Sequence, residues 1–166
     1  MLLERNRRAG TENIPYIVGL GKASEIAKRD FPKRYEHFSA LRDRLQQGIL
    51  SQVPHVQLNG HPTKRLPNTL NLSFTYIEGE SLLLNLDLEG IAVSSGSACT
   101  AGSSEASHVL LAMGVPPEIA QSAIRFSLGW SNTQEDVDYA VEVLPRIVKR
   151  LRDISPLYQR YVTKAK

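Results

Sequence analysis

Apolar positions along this chain repeat with two different periods, and the alternation between them divides it into helices and short strands. Ile14, Ile17, Val18, Ile26 and Ala27 recur at helical spacing, with Pro15 suited to a first turn, and predict a helix over 14–29. A second stripe of Phe31, Tyr35, Phe38, Leu41, Leu45 and Ile49 predicts another helix, long enough to link two subdomains. From Val53 the texture changes. Pro54, Asn59-Gly60, Pro62 and Pro67-Asn68 punctuate extended pieces at 56–58 and 69–76, the second carrying Leu70, Leu72 and Phe74 on one face. A helix is expected over 79–88, a strand over 91–94, two short helices over 104–113 and 117–122, and a strand over 123–128. Thr133 with Asp136 reads as a capping box, and Val137, Ala140, Val141, Leu144, Ile147, Val148, Leu151 and Ile154 form one apolar face behind it. Pro145 lies inside that helix and is expected to kink it. Some connections are too short for parallel crossovers. The pattern therefore predicts an α/β fold with a small mixed or antiparallel sheet and helices packed against it.

Length and composition place these elements in an ordinary globular chain: 166 residues, 42% hydrophobic and 22% charged. No apolar stretch approaches the roughly 20 residues of a membrane span. The N-terminus runs straight into Glu4 and Arg5 without the apolar segment of a secretory signal, so the expected compartment is the cytoplasm and no membrane partner is expected. The net charge of +3 comes from basic residues spread along helical patterns, which gives no support to a nucleic-acid partner.

Three positions carry candidate chemistry. The single cysteine, Cys99, excludes a disulfide within the chain and is either a buried structural thiol or a reactive one. Its surroundings, residues 94–104, contain no large side chain, which favours a loop over a packed interior. Arg125 stands in the apolar strand Ala123-Ile124-Arg125-Phe126. It is read as an internal ion pair, an exposed strand position, or the anchor of a substrate carboxylate, which its planar fork would hold through two parallel hydrogen bonds. Gly10-Thr11 precedes a helix, where Thr11 either caps the helix or helps hold a phosphate at its positive end. His37, His55, His61 and His108 lack metal-ligand spacing and are read as surface or hydrogen-bonded residues.

Several segments together resemble the C-terminal portion of the NifS/IscS-type cysteine desulfurases, pyridoxal-phosphate enzymes of the class V aminotransferase group. They are Arg5 to Asn13 with its Arg-Arg-Ala-Gly-Thr-Glu-Asn, Leu66-Pro67-Asn68-Thr69-Leu70-Asn71, Glu78-Gly79-Glu80-Ser81-Leu82, Ser94-Ser95-Gly96-Ser97-Ala98-Cys99-Thr100, Ile124-Arg125-Phe126-Ser127-Leu128-Gly129 and Leu151-Arg152-Asp153-Ile154-Ser155-Pro156-Leu157. The short form of the cysteine loop resembles the IscS/NifS branch more than the SufS branch. The resemblance implies the small domain of a fold-type I enzyme over 51–166, preceded over 1–50 by the tail of the large domain and a long linking helix. It also implies that Cys99 accepts sulfur from L-cysteine as a persulfide, that Arg125 holds the substrate carboxylate, and that Thr11 contacts the cofactor phosphate of the partner subunit in a homodimer. In relatives the cysteine also helps ligate an iron–sulfur cluster, so Cys99 is a metal-ligand candidate as well. A sulfur-acceptor or iron–sulfur scaffold protein would be the receiving partner. The Ser-x-His-Lys segment of the family has no counterpart here, and Lys22, Lys28, Lys33 and Lys64 do not stand in that context. The chain is therefore expected to need an N-terminal half for activity. Two other readings are a non-catalytic persulfide carrier and a regulatory remnant that only dimerises.

Overall fold

In the computed structural model, which describes residues 2–3, 8–95 and 106–164 with side chains from residue 10 onward, the two N-terminal apolar stripes belong to one helix, α1 (Ile14–Gln52). Asn13 caps it, its Oδ1 accepting the Tyr16 N–H at 3.3 Å while its carbonyl accepts that of Ile17. Two helices were expected from the sequence, and Pro32 lies inside the single one observed. A proline removes only one backbone donor and crowds one carbonyl, about 3 kcal/mol. Once a helix is nucleated on both sides, continuing through that position costs less than ending and restarting it.

The chain divides into two compact units, Met1–Tyr35 and Glu36–Lys166. In the first, β1 (Leu2–Leu3) pairs antiparallel with β2 (Arg8–Ala9), ahead of the start of α1. Asp30 there receives Arg29 at 2.7 Å and Arg34 at 3.5 Å.

The second unit is built on a four-stranded antiparallel sheet of β3 (Val56–Leu58), β4 (Thr69–Phe74), β5 (Ser94–Ser95) and β6 (Ala123–Ser127), in the order β3-β4-β6-β5. Alternation sends Leu70, Leu72, Phe74, Ile124 and Phe126 to one face, where all are buried. Against them lie Leu41, Leu45 and Ile49 of α1, Leu82 and Leu86 of α2 (Gly79–Leu88), and Val137 to Leu151 of α5 (Gln134–Asp153) in one apolar cluster. Two glycines let backbones approach. A Cβ on Gly79 would stand 2.8 Å from the Gln121 carbonyl, and one on Gly48 only 2.5 Å from Cγ2 of Val141, where α1 meets α5. A smaller cluster of Leu110, Val115, Ala120 and Ala123 joins α3 (His108–Ala112) and α4 (Pro117–Gln121) to the start of β6. The capping box at Thr133 and Asp136 is complete, with bonds of 3.0 and 3.3 Å.

Other elements depart from the sequence pattern as well: among the described residues the helix expected over 104–113 is only His108–Ala112, and the extended piece expected over 69–76 pairs only to Phe74. The strand expected over 91–94 is only Ser94–Ser95, because the Ile91 N–H is still closing α2 by donating to the Leu86 carbonyl. Ile154, expected on the apolar face of α5, is 75% exposed because the helix ends at that residue, and Val143 is buried on the face. An additional helix, α6 (Pro156–Lys164), follows. Ser155 starts it, its Oγ receiving the Tyr158 N–H at 3.4 Å and donating to the Tyr76 carbonyl at 2.6 Å.

Candidate functional site

The same alternation that buries Ile124 and Phe126 turns Arg125 to the other face of the sheet, where it is exposed. Its register partners are Asn71 on β4 and Ser94 on β5, so the three stand in one row across three strands. Residues directly opposite on antiparallel strands have Cβ atoms roughly 4.5–5.5 Å apart, within reach of one small ligand. Thr69, Ser73, Gln57 and Ser127 continue this polar face by the same register. Among the described residues Arg125 has no carboxylate within ion-pairing distance. Of the three sequence readings, the structure thus gives an exposed strand position, with no internal ion pair to a described residue.

Behind that row lies a buried amide. Asn59, 7% exposed, donates through Nδ2 to Asn71 Oδ1 at 2.7 Å and to Ser73 Oγ at 2.8 Å, and its backbone N–H donates to the Asn71 carbonyl at 3.0 Å. At the other end of the row, Ser94 Oγ donates to the Ser95 carbonyl at 3.1 Å. The sequence pattern marks Asn59 as a turn residue and gives Asn71 no site role of its own. The available signal was a polar residue at every second position of an otherwise apolar strand.

Other arginines are deployed differently. Arg152 is 3% exposed and spends its guanidinium on the carbonyls of Thr75 and His55 at 3.2 and 3.1 Å, above the Tyr158 ring. Burial pushes it below the ordinary arginine range, partly countered by Tyr158 and Tyr76. Arg42 donates to the Leu66 carbonyl at 3.1 Å and pairs with Asp43 at 2.8 Å. Burial, and then its neighbour Arg42, also push Arg65 down. These side chains tie loops to helices, leaving Arg125 as the guanidinium presented on the open sheet face.

Thr11 is exposed and lies in the first unit, after Gly10, whose φ is +92°. The cap of α1 is Asn13, so Thr11 is not the N-cap of that helix. Cys99 lies outside the described residues. Among the histidines, His37 bonds the Asn132 carbonyl at 3.1 Å, and His61 Nδ1 accepts the Lys64 N–H at 2.9 Å. His55 packs edge-on against Tyr76 and Tyr161, and His108 is exposed at the start of α3. Among the described residues no group of three His, Cys, Asp or Glu side chains is placed to hold a metal ion, and no helix is long and apolar enough to cross a membrane. The six described lysines are all exposed.

Residues 3–140 match the aminotransferase class-V family. The chain is 56% identical over 154 residues to the cysteine desulfurase IscS of Methanosarcina thermophila, and 55% identical over 153 residues to cysteine desulfurase 2 of Trichormus variabilis. These alignments cover 93% and 92% of the chain, which spans about 38% of the length of each relative. Among solved structures it superposes on a NifS-like protein with a TM-score of 0.75 at 38% identity, covering 90% of this chain and 37% of that one. The NifS-like protein of Rickettsia africae gives a TM-score of 0.74 at 33% identity, covering 89% and 38% of the two chains.

Proposed function

This chain belongs to the aminotransferase class-V family, and from that premise we propose that it is the C-terminal portion of a cysteine desulfurase, with Arg125 holding the carboxylate of L-cysteine and Cys99 taking its sulfur. The observation that carries the reading is the placement of Arg125: an exposed guanidinium without a described acidic partner, in register with Ser94. Cys99 follows Ser94 by five Cα–Cα steps, so covalent geometry alone keeps their Cα atoms within about 18 Å of each other.

The reaction moves one sulfur atom. The Cys99 sulfur bonds to the sulfur of substrate cysteine, whose C–S bond breaks with its electron pair left on carbon. That carbon takes a proton and becomes the methyl group of L-alanine, and the enzyme keeps a persulfide. Family members are pyridoxal-phosphate dependent, and the cofactor when bound supplies an electron sink for negative charge on the substrate carbon. In this reading Arg125 holds the substrate carboxylate, and Thr11 contacts the cofactor phosphate of the partner subunit. The exposed lysines do not fit covalent attachment, which is assigned to the part of the relatives' length that this chain does not match. The chain by itself is therefore inactive in this reading, with residues 1–50 the tail of a large domain and 51–166 the small domain of a homodimeric, cytoplasmic enzyme. Its persulfide passes to a sulfur acceptor or an iron–sulfur scaffold.

The test is reconstitution. The chain is combined with the missing portion of a relative, pyridoxal phosphate and L-cysteine, and alanine and sulfide are measured. Cys99→Ser should abolish turnover and Arg125→Ala should lower kcat/KM about 100-fold or more, since two charge-assisted bonds are lost. Persulfide arriving on Cys99 from another protein, with no turnover in any mixture, would establish a carrier instead. A thiol that neither alkylates nor accepts sulfur would end both readings.

A further inference from the structure

We infer that Asn71 is a second donor to the substrate carboxylate, held in the required orientation by the buried amide of Asn59; the inference rests on the reading of Arg125 as the carboxylate anchor. An asparagine amide has one acceptor and two donors on a rigid plane. At Asn71 the acceptor is occupied, because Oδ1 receives Asn59 Nδ2 at 2.7 Å. Asn59 follows β3, the neighbour of β4 on the side away from β6. The Asn71 carbonyl is thus turned toward β3, and the planar group carries its nitrogen toward β6, where Arg125 stands directly opposite. That nitrogen donates to no described residue.

Asn59 is tied down through its three hydrogens, while its Oδ1 has no hydrogen-bond partner. It is 7% exposed, its other amide hydrogen goes to Ser73 Oγ at 2.8 Å, and its own N–H is committed to the Asn71 carbonyl at 3.0 Å. With Asn59 donating to Ser73, reversing the Asn71 amide alone would set two N–H groups against each other in a buried place, a pairing that costs more than the original bond contributed. A fixed neutral donor beside a cation, with no acceptor between them among the described residues, matches a ligand with two coplanar anionic oxygens. Arg125 supplies the charge. Asn71 supplies direction, which a guanidinium on a flexible stem does not provide alone.

The test uses the chain as it exists, labelled with nitrogen-15. The side-chain signals of Arg125 Nε and Asn71 Nδ2 are followed during titration with L-alanine, which carries the carboxylate, and with ethylamine, which lacks it. Alanine should move both signals along one binding curve, and ethylamine should move neither. Asn71→Ala should weaken the Arg125 response about 10- to 100-fold, the effect of one hydrogen bond to a charged group. Asn71→Asp keeps the acceptor for Asn59, and hence the fold, but sets an anion opposite Arg125 and should abolish the response. An Arg125 titration unchanged in Asn71→Ala overturns the role of Asn71 and leaves the anchor standing. An Arg125 signal that ignores alanine in the unmodified chain overturns both.

Discussion

Replacing Arg152 by methionine should destabilise the chain by about 2–3 kcal/mol, although no described carboxylate partners it. The guanidinium is 3% exposed and donates to the carbonyls of Thr75 and His55 at 3.2 and 3.1 Å. Each hydrogen bond from a charged donor contributes roughly 1.5–3 kcal/mol, and each carbonyl left buried without a donor costs about 1–3 kcal/mol. Against this, methionine relieves the desolvation of a buried cation and keeps most of the side-chain volume. The His55 carbonyl keeps the Thr75 N–H at 3.1 Å, so only the Thr75 carbonyl loses its donor and the balance falls at the lower end of the gross loss. The two bonds also hold a segment in which His55 and Tyr76 both adopt left-handed backbone, with φ of 55° and 75°. Urea unfolding measures the outcome: with a slope of about 1–3 kcal/mol per molar, the midpoint should fall by roughly 1 M. Arg152→Lys should recover little, since an ammonium keeps the desolvation cost and cannot span both carbonyls. A methionine variant within about 0.5 kcal/mol of the parent, the range of an ordinary surface substitution, would refute the reasoning, as would a lysine variant of parental stability.

Three further outcomes are expected. Gly48→Ala should lower stability by about 1–3 kcal/mol, because the new methyl meets Val141, and Gly48→Ala with Val141→Ala should regain part of it in thermal unfolding. The Arg44 guanidinium holds the Asp138 carboxyl below the usual carboxylate range. Its contribution is therefore complete above the unfolded-state value and is lost as pH falls through the lowered folded-state one. Comparing Asp138→Asn with the parent from neutral to acidic pH should show a difference that shrinks on the acid side and in high salt, since both side chains are 51% exposed. Arg125→Ala should leave the stability from urea unfolding within about 0.5 kcal/mol of the parent while removing the response to L-alanine, because the side chain is exposed and anchors nothing described.

Much of the second unit was legible because its signals are local. Period-two alternation in 69–74 and 123–127 located the sheet's central strands and put Arg125 opposite a buried face. The spacing of Thr133 and Asp136 located the start of α5, and α2 begins and ends where its apolar period does. Periodicity was silent on how interruptions resolve. Pro32 stays within a continuous helix, while Pro156 opens a new one after Ser155. It was silent too on every group whose partner lies far along the chain, such as Arg152 with His55, or Asn59 with Asn71 and Ser73 across a turn. Residue order alone determined which positions face a core and which face away, because that depends on the geometry of a few neighbouring residues. Which polar group meets which was decided only when strands and helices packed, since register, burial and hydrogen-bond satisfaction are properties of segments brought together from distant parts of the chain.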